Sequence, residues 1–584
     1  MTENLSQSLP PLPSGARKPL LHRLRMSRVN AWLVAGPSLL IALGVGEYFR
    51  RFEGSGPNLI CTAAITLALW ATLVMATRRA LASTILIGAM IAFIAGVAFV
   101  KRSLEKMAFH AYDLYFYFPD GRLLAHLWTS HRAFLIAVIA GAFATLAAVI
   151  IAWRLEQVRL RRLHAAYLCA ICIIVGAAAS LEKIERRHTQ FYWEDLFVSS
   201  FYGSWPETLE TLVRGQMMET ASAASHRPPL LTMAQQTCAP TQKPPHIILI
   251  HEESVFPPPI FPQLNYDKRL DSMFKSFDGR MRRMRVETYG GASWLTEFSV
   301  MTGLSSRSFG GIRNFLQTYM VNRLSDTLPQ TLSHCGYRNV LFYPMLKSFI
   351  SSAPFYNSVG IKEIFDAKDQ QAPTAFERDR FYFGNALNNL EAHVAASKAP
   401  LFTFVETMST HWPYHVTFFP EEHVPGGGEG VDAEMNEFLR RLWLSKTDLE
   451  DMRAQLATRF PKERFLIVHY GDHHPVATRR LLGFAADLES EDVELAPDSP
   501  GFITYFAMQG VNFTPRPLPL IDPVDVAYLP ALILYAAGLP LPDSDVERLR
   551  LMKQCNGRYY DCEDREEILD FHRRLIEAGM LKPR

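Results

Sequence analysis

Two motifs after residue 244 end in side chains that bind divalent cations. Glu253 follows the apolar run 245–250, and Asp472 and His473 follow the apolar, β-branched run 465–468. Such runs predict buried strands, and the carboxyl ends of strands in an open α/β sheet converge on one crevice. Carboxylate oxygens beside an imidazole suit Zn²⁺ or Mn²⁺. The sequence therefore predicts a metal site at this edge of a sheet.

Two further motifs supply a hydroxyl and a second imidazole. Gly290 and Gly291 lead into Ser293, where a helical pattern begins. Glycines allow a sharp turn, and a helix start offers free N–H groups and a positive dipole end to an anion. Ser293 is thus predicted to be a nucleophile that faces a phosphate group. His411, after the apolar run 401–405, is predicted to hydrogen-bond a phosphoryl or leaving-group oxygen.

In order, spacing and local sequence, the four motifs resemble the alkaline phosphatase/sulfatase superfamily. Within it they are most similar to the membrane-anchored branch of lipoteichoic acid synthases and related phosphoglycerol and phosphoethanolamine transferases. The resemblance covers residues 244–538. It implies one divalent ion, Mn²⁺ or Zn²⁺ with Mg²⁺ as a further option, and a substrate-binding role for His411. The implied metal ligands are Glu253, Ser293, Asp472 and His473, with Ser293 also the catalytic nucleophile.

The sequence departs from that family at two places. Ser293 stands where the synthases carry Thr, which keeps the hydroxyl. Their F-W-N-R segment, which holds glycerol phosphate, resembles residues 355–358, where Tyr356 and Ser358 replace the Trp and the Arg. The head group therefore does not carry over. The C-x-P-x-R or S-x-P-x-R motif of true sulfatases is not present at Cys335 or Ser293.

The implied reaction begins with a phospholipid donor. A divalent cation beside Ser293 would lower the pKa of its hydroxyl and neutralise charge on the phosphoryl group. Ser293 would take the head group, release diacylglycerol and pass the group to an envelope glycan or lipid acceptor. Two alternatives stay open: a membrane-tethered phosphodiesterase or phosphatase with water as acceptor, and a non-catalytic envelope sensor. A missing metal ligand would favour the sensor.

Strand-like and helical segments alternate after residue 244. The strand-like runs are 247–250, 339–343, 401–405, 465–469 and 501–508. This alternation predicts an α/β sulfatase-like domain whose mostly parallel sheet lies between helices. The arginine-rich cluster from Lys275 to Arg285 is interpreted as a solvated edge, with contact to anionic lipid as the alternative.

The first third of the chain is apolar and predicts an α-helical membrane domain. Five stretches with almost no charge are each long enough to cross a bilayer. They are 30–48, 59–77, 80–100, 133–153 and 164–181. Helices of a soluble domain would show a polar face, and these do not. We therefore predict a multi-pass membrane protein.

Positive charge sets the predicted orientation. Lys and Arg concentrate before the first span, at Arg78 and Arg79, and over residues 154–162, all on one side of a five-span protein. The positive-inside rule makes that side cytoplasmic. The prediction is an inner-membrane protein with a periplasmic or otherwise extracytoplasmic catalytic domain. Its regions are a cytoplasmic N-terminus at 1–29, membrane helices at 30–181, a juxtamembrane helix and linker at 182–243, and the catalytic domain at 244–584.

Three further features bear on environment and partners. A formal net charge of +2 argues against nucleic acid as a partner. Aromatic residues at 112–118 and 191–205 predict either a lipid-contacting cuff or packing against the catalytic domain. Four cysteines lie outside the membrane spans, where disulfides persist, and their pairing is left open. They are Cys238, Cys335, Cys555 and Cys562.

Overall fold

The computed structural model describes most of the chain and divides it into two compact units. The described residues are 20–54, 56–105, 108–116, 128, 131–184, 196–214, 218–222, 227–240, 242–347, 352–374, 376–485 and 495–582. The first unit comprises Met1–Phe109, Leu124–His188 and Leu196–Gly203; the second comprises His110–Leu123, Thr189–Asp195 and Ser204–Arg584. The domain boundaries given above stay predictions.

Five helices in the described part of the first unit are long and apolar enough to span a membrane. The spans are Trp32–Phe52, Pro57–Thr77, Ala80–Ser103, Arg132–Leu155 and Arg162–Ala179. Large apolar side chains point outward on these helices; Phe143 is 70% exposed and Ile174 is 67% exposed. Exposure on this scale is unfavourable in water and suits a lipid surround. The predicted architecture, five apolar helices followed by an α/β domain with a mostly parallel sheet, is confirmed.

Two sets of hydrogen bonds join the segments that flank these helices. Leu160 N donates to Arg78 O, which joins the two connections predicted to be cytoplasmic. Glu53, after the first helix, accepts hydrogen bonds from Val198 N and Ser199 N at 2.7 and 2.9 Å. That carboxylate caps the start of the helix Val198–Arg214, because the first N–H groups of a helix lack partners within it. The first 19 residues of the predicted cytoplasmic N-terminus lie outside the described part.

The second unit is built on an eight-stranded sheet whose order is β4-β3-β5-β1-β6-β7-β2-β8. The five strands from β4 to β6 are parallel, and β7 runs antiparallel to both β6 and β2. The strand bounds are β1 His246–Glu252, β2 Arg282–Arg285, β3 Arg338–Phe342, β4 Glu363–Phe365, β5 Leu401–Glu406, β6 Phe465–Gly471, β7 Ile503–Val511 and β8 Val524–Asp525.

Helices cover both faces of this sheet. Alternate residues of β1 enter different cores: Ile247 and Leu249 pack in one, Ile248 and Ile250 in the other. This alternation explains why the central strands are apolar throughout, since both faces are buried. The helices are Ala111–Phe116, Val198–Arg214, Ser293–Thr302, Leu316–Tyr319, Leu328–His334, Ser352–Ser358, Asp379–Ala396, Ala433–Arg459, Leu529–Ala536, Asp543–Gln554 and Arg565–Glu577.

The four cysteines of the second unit form two disulfides. Cys238 pairs with Cys335, and Cys555 pairs with Cys562. The long bridge joins the segment before β1 to the helix end before β3, while the short one closes a loop between the last two helices. Both pairings were left open by the sequence.

The arginine-rich cluster is exposed at some positions and buried at others. Three members are exposed, as a solvated edge requires: Lys275, Arg280 and Arg283. Arg282, in β2, is 4% exposed and pairs with Asp278 at 2.6 Å. Arg285 is half-buried and pairs with Asp525. The interpretation as a solvated edge therefore does not hold for Arg282, whose charge meets a carboxylate on the preceding turn.

The aromatic connection between the third and fourth membrane helices contributes to the second unit. Tyr112 is 1% exposed in its core and packs on Phe315, with ring centroids 5.9 Å apart. Packing is therefore the correct alternative for Tyr112. Other members of the aromatic set lie outside the described residues: Tyr117, Phe118, Phe191, Tyr192 and Trp193.

Candidate active site

Strand register brings the two predicted acidic ligands together. β1 and β6 are parallel neighbours in which Glu252 lies opposite Gly471, so Glu253 and Asp472 leave the sheet side by side. Only glycine fits at position 471, because a Cβ there would lie 1.8 Å from Val255 O. Ser254 N donates to Asp472 Oδ1 at 2.7 Å and Ser254 Oγ donates to Glu253 Oε1 at 2.8 Å. One turn thus fixes both carboxylates.

Ser293 lies at the first turn of the helix Ser293–Thr302. The preceding residue, Ala292, has φ 62° and ψ 42°, a left-handed conformation that costs a residue with a Cβ about 1 kcal/mol or more. This sharp turn directs the Ser293 hydroxyl at the strand ends. Ser293 Oγ donates to Glu253 Oε2 at 3.0 Å and lies 3.3 Å from His473 Nε2.

Two imidazoles present a ring nitrogen to the same point. His473 Nδ1 lies 2.9 Å from His474 O, which fixes the proton on Nδ1 and leaves the Nε2 lone pair free. His251 Nδ1 lies 2.9 Å from Tyr470 OH, which can accept the Nδ1 proton and so leave Nε2 to face the site. Both Nε2 atoms lie 3.2 Å from Asp472 Oδ2. His251 was not among the predicted ligands.

These donors fit a divalent cation. Asp472 Oδ2 is buried and makes no hydrogen bond within the described residues, although two imidazole nitrogens face it. Ligand atoms of His251, Glu253 and Asp472 all lie within 4.8 Å of one another. Ligands bound tetrahedrally at about 2.0–2.1 Å lie roughly 3.3 Å apart. The separations of 3.2–3.4 Å between these side-chain atoms match that spacing.

The electrostatics of the cluster favour positive charge at its centre. Burial lowers the pKa of His251, but the Asp472 carboxylate outweighs it and raises that pKa to about 10. Against the same burial, Asp472 and Glu253 raise the pKa of His473 to about 9. Burial raises the pKa of Glu253, yet the neighbouring imidazoles hold it well below its ordinary value. A divalent cation would take the place of the imidazole protons.

His411 shares a pocket with Ser293. Both residues line it together with Glu253 and His473. The His411 ring stacks on Phe376 with centroids 5.1 Å apart, and Arg441 donates to its carbonyl oxygen at 2.7 Å. The structure therefore brings four of the five predicted site residues to one pocket, with the fifth, Asp472, 3.2 Å from His473 Nε2, and their roles stay predictions.

The same pocket holds a polar group that the sequence argument did not identify. Glu297 and Glu406 line the pocket, and both contact Tyr356 OH, at 2.6 and 2.8 Å. Gln317 Nε2 donates to Glu297 Oε2 at 2.7 Å. Burial, reinforced at Glu406 by the Glu297 charge, raises the pKa of both carboxyls. Glu297 follows Ser293 by one helical turn, so the two side chains share a helix face. This spacing in the sequence could have identified Glu297 as a site residue.

Residues adjacent to the predicted ligands have supporting contacts. Glu252 lies 3.1 Å from His469 Nδ1 and accepts from Tyr505 OH. Thr296 Oγ1 donates to Asp472 O at 2.8 Å, which anchors the ligand's backbone. His474 lies 2.8 Å from Ile503 O, and burial lowers its pKa to about 3.

Comparisons with known proteins place this region in a family. Residues 259–492 match the sulfatase family model, an interval that includes Ser293, His411, Asp472 and His473. An uncharacterized protein of Haemophilus influenzae is 22% identical over 348 residues, which cover 57% of this chain and 59% of that protein.

Solved structures that align with this chain include two bacterial transferases. One is the Streptococcus pyogenes phosphoglycerol transferase GacH in complex with sn-glycerol-1-phosphate. It is 15% identical, the alignment covers 60% of this chain and 87% of that chain, and the TM-score is 0.45. Another is the integral membrane lipooligosaccharide phosphoethanolamine transferase A of Neisseria meningitidis, with 11% identity, 82% and 95% coverage, and a TM-score of 0.46.

Proposed function

The second unit contains a sulfatase-family domain, and from that premise we propose that the protein is a membrane-bound phosphotransferase. It moves a phospholipid head group through a phosphoserine at Ser293 to an envelope glycan or lipid. One observation carries the proposal: the Ser293 hydroxyl lies 3.0 Å from Glu253 Oε2 and 3.3 Å from His473 Nε2, among donors that suit a divalent cation.

Glu253, Asp472 and His473, together with His251, would hold Mn²⁺ or Zn²⁺. Such a cation lowers the pKa of a neighbouring hydroxyl and neutralises phosphoryl charge. Two imidazole nitrogens and two carboxylates favour Zn²⁺ over Mg²⁺, which prefers oxygen ligands. Glu253, Asp472 and His473 are held by Ser254, Thr296 and the His474 carbonyl, so little reorganisation is needed when substrate binds.

In the first half-reaction, Ser293 Oγ attacks the phosphorus of the lipid. Its proton moves toward Glu253 Oε2, the acceptor to which the hydroxyl already donates. The bond from phosphorus to the diacylglycerol oxygen breaks, and that oxygen leaves as a hydroxyl after taking a proton from His411. In the second half-reaction an acceptor hydroxyl attacks the phosphoserine, His411 takes its proton, and Ser293 recovers its own.

We infer that the second unit lies on the periplasmic side of an inner membrane. Its two disulfides suit an oxidising compartment. The unit combines a segment before the fourth membrane helix with the chain after the fifth. Two crossings separate these stretches, so both fall on one side, which is the side opposite the arginine-rich connections.

The test is a search for the covalent intermediate. The purified full chain is incubated with phospholipid vesicles and the peptide that contains Ser293 is examined by mass spectrometry. We expect a head-group adduct in the wild type and none in Ser293→Ala. An unmodified Ser293 despite diacylglycerol release would contradict the mechanism. Release of the head group into water, with none on glycan or lipid, would identify a phosphodiesterase instead.

A further inference from the structure

Two buried carboxyl groups, here called the acidic wall, share the pocket with Ser293. They are Glu297 and Glu406, which are 5% and 4% exposed. Ser293 precedes Glu297 by four residues, so the two side chains lie on the same face of their helix. Glu406 ends β5 opposite His251 of β1. Neither carboxyl is needed to hold the metal or to transfer a proton in the proposed reaction.

The acidic wall carries negative charge that no Lys or Arg balances among the described residues that line the pocket. Tyr356 OH has one proton, yet it lies 2.6 Å from Glu297 Oε2 and 2.8 Å from Glu406 Oε1. It can donate to one carboxylate, so the other close contact needs a proton on the second carboxyl. The pair then keeps one negative charge. His251 also lines the pocket and its protonated ring would balance this charge, but a His251 that holds the metal is neutral.

A second observation at the same place indicates a ligand with N–H donors. Gln317 lines the pocket and is 2% exposed. Its Nε2 donates to Glu297, which leaves Oε1 as the free end of the amide, and Oε1 has no hydrogen-bond partner within the described residues. A buried acceptor without a donor is unfavourable, and a ligand N–H group would satisfy it.

We propose that the acidic wall binds a primary ammonium group, so that the head group accepted by Ser293 is phosphoethanolamine and not phosphoglycerol. The inference rests on the proposed transferase function. Glycerol hydroxyls are neutral and would leave the carboxylate charge unmatched, whereas an ammonium supplies both charge and three donors. The aromatic rings of Tyr343 and Trp294 line the same pocket and suit a cation.

The first experiment compares donors by labelling of Ser293. The purified full chain receives vesicles that contain either phosphatidylethanolamine or phosphatidylglycerol, and the adduct is quantified by mass spectrometry. We expect the wild type to prefer phosphatidylethanolamine, and Glu406→Gln to lower the ratio of the two adducts about tenfold or more. Glu252→Gln removes a buried carboxylate outside the pocket and should keep the wild-type ratio. Equal labelling by both lipids, or an unchanged ratio in Glu406→Gln, would overturn the proposal.

A second experiment does not need turnover. Ser293→Ala is titrated calorimetrically with phosphoethanolamine, glycerol phosphate and glucosamine, the last of which represents an amine from an acceptor sugar. We expect phosphoethanolamine to bind tightest, with the preference lost on adding Glu297→Gln; thermal unfolding verifies that each variant folds. Tighter binding of glycerol phosphate or glucosamine refutes the assignment. Absence of any Ser293 adduct, with phosphoethanolamine still preferred here, would reject the transferase and keep the ammonium site.

Discussion

At the scale of single residues, the site owes its form to side chains that alternate along a strand. His251 and Glu253 are two residues apart at the end of β1, so they emerge on the same side of the sheet. At the end of β1 the sequence prediction named Glu253 alone. The period of two was visible in the sequence, whereas the 3.2 Å separation between His251 Nε2 and Asp472 Oδ2 depends on the pairing of β1 with β6.

His251 is expected to contribute to metal binding. Its replacement by Ala removes one nitrogen donor, and we expect metal affinity to fall about 10- to 100-fold. Metal content after dialysis against a graded series of chelator concentrations measures the change. His469→Ala is the matched control, because His469 is also a buried histidine but contacts Glu252 and Tyr505. Equal metal retention by His251→Ala and the wild type would exclude a ligand role.

Asp379 should make stability depend on pH. Burial, reinforced by the Asp448 charge, raises its pKa from 3.8 to about 7, against hydrogen bonds from Ser445 and Ser409. The folded state therefore binds a proton that the unfolded chain releases. The stabilisation is complete below about pH 4 and is lost as the pH rises toward 7, at roughly 1.4 kcal/mol per pH unit.

The corresponding variant is Asp379→Asn, which is neutral at every pH. The difference in free energy of unfolding between Asp379→Asn and the wild type should shift in favour of the variant as the pH rises from 4 to 7. Above pH 7 this difference should stay constant. Denaturant unfolding of the two proteins across this range measures the difference. The exposed Asp498→Asn should show no such trend; a flat difference for Asp379→Asn as well would mean that Asp379 is ionised in the folded protein.

At the scale of elements, apolar patterning predicted the central strands and the helix that begins at Ser293. β2, β4 and β8 were not predicted, because a strand of two to four residues shows little periodicity. β2 is also arginine-rich, and its buried Arg282 is paired with Asp278 on the preceding turn. Glu406 could not be assigned to the site from sequence, since its position depends on the register between β1 and β5.

The close approach of β6 to the turn after β1 is open to a direct test. In Gly471→Ala the new Cβ would collide with Val255 O, so the turn that holds Asp472 through Ser254 N must move. We expect a loss of about 1–3 kcal/mol in stability and a marked loss of bound metal. Thermal unfolding and metal analysis measure both. Gly291→Ala is the control, because a Cβ at that position meets nothing within 4 Å.

At the scale of the whole molecule, hydropathy alone predicted five membrane helices ahead of an α/β domain. It could not predict that the two units interleave along the chain. The aromatic run from Tyr112 was compatible with either lipid or protein contact, because both environments favour the same rings. Long-range packing decides between them, and only the fold supplies it.

Tyr112 is expected to stabilise the catalytic unit despite its place between membrane helices. Truncation to Ala removes a ring buried in that core, and we expect a loss of about 3–5 kcal/mol. Limited proteolysis and thermal unfolding of the full chain in detergent measure it. Tyr115→Ala, three residues further on and 49% exposed, should have little effect. Similar losses in the two variants would show that Tyr112 does not belong to the core.

The interleaved chain has a consequence for biosynthesis. Tyr112 leaves the ribosome before the last two membrane helices exist, while its ring partner Phe315 and the strands that carry Asp472 follow much later. The core around Ser293 therefore closes only after all five helices have been made. Folding of the second unit is thus tied to membrane insertion by the order of translation, and a half-made chain has no assembled pocket around Ser293.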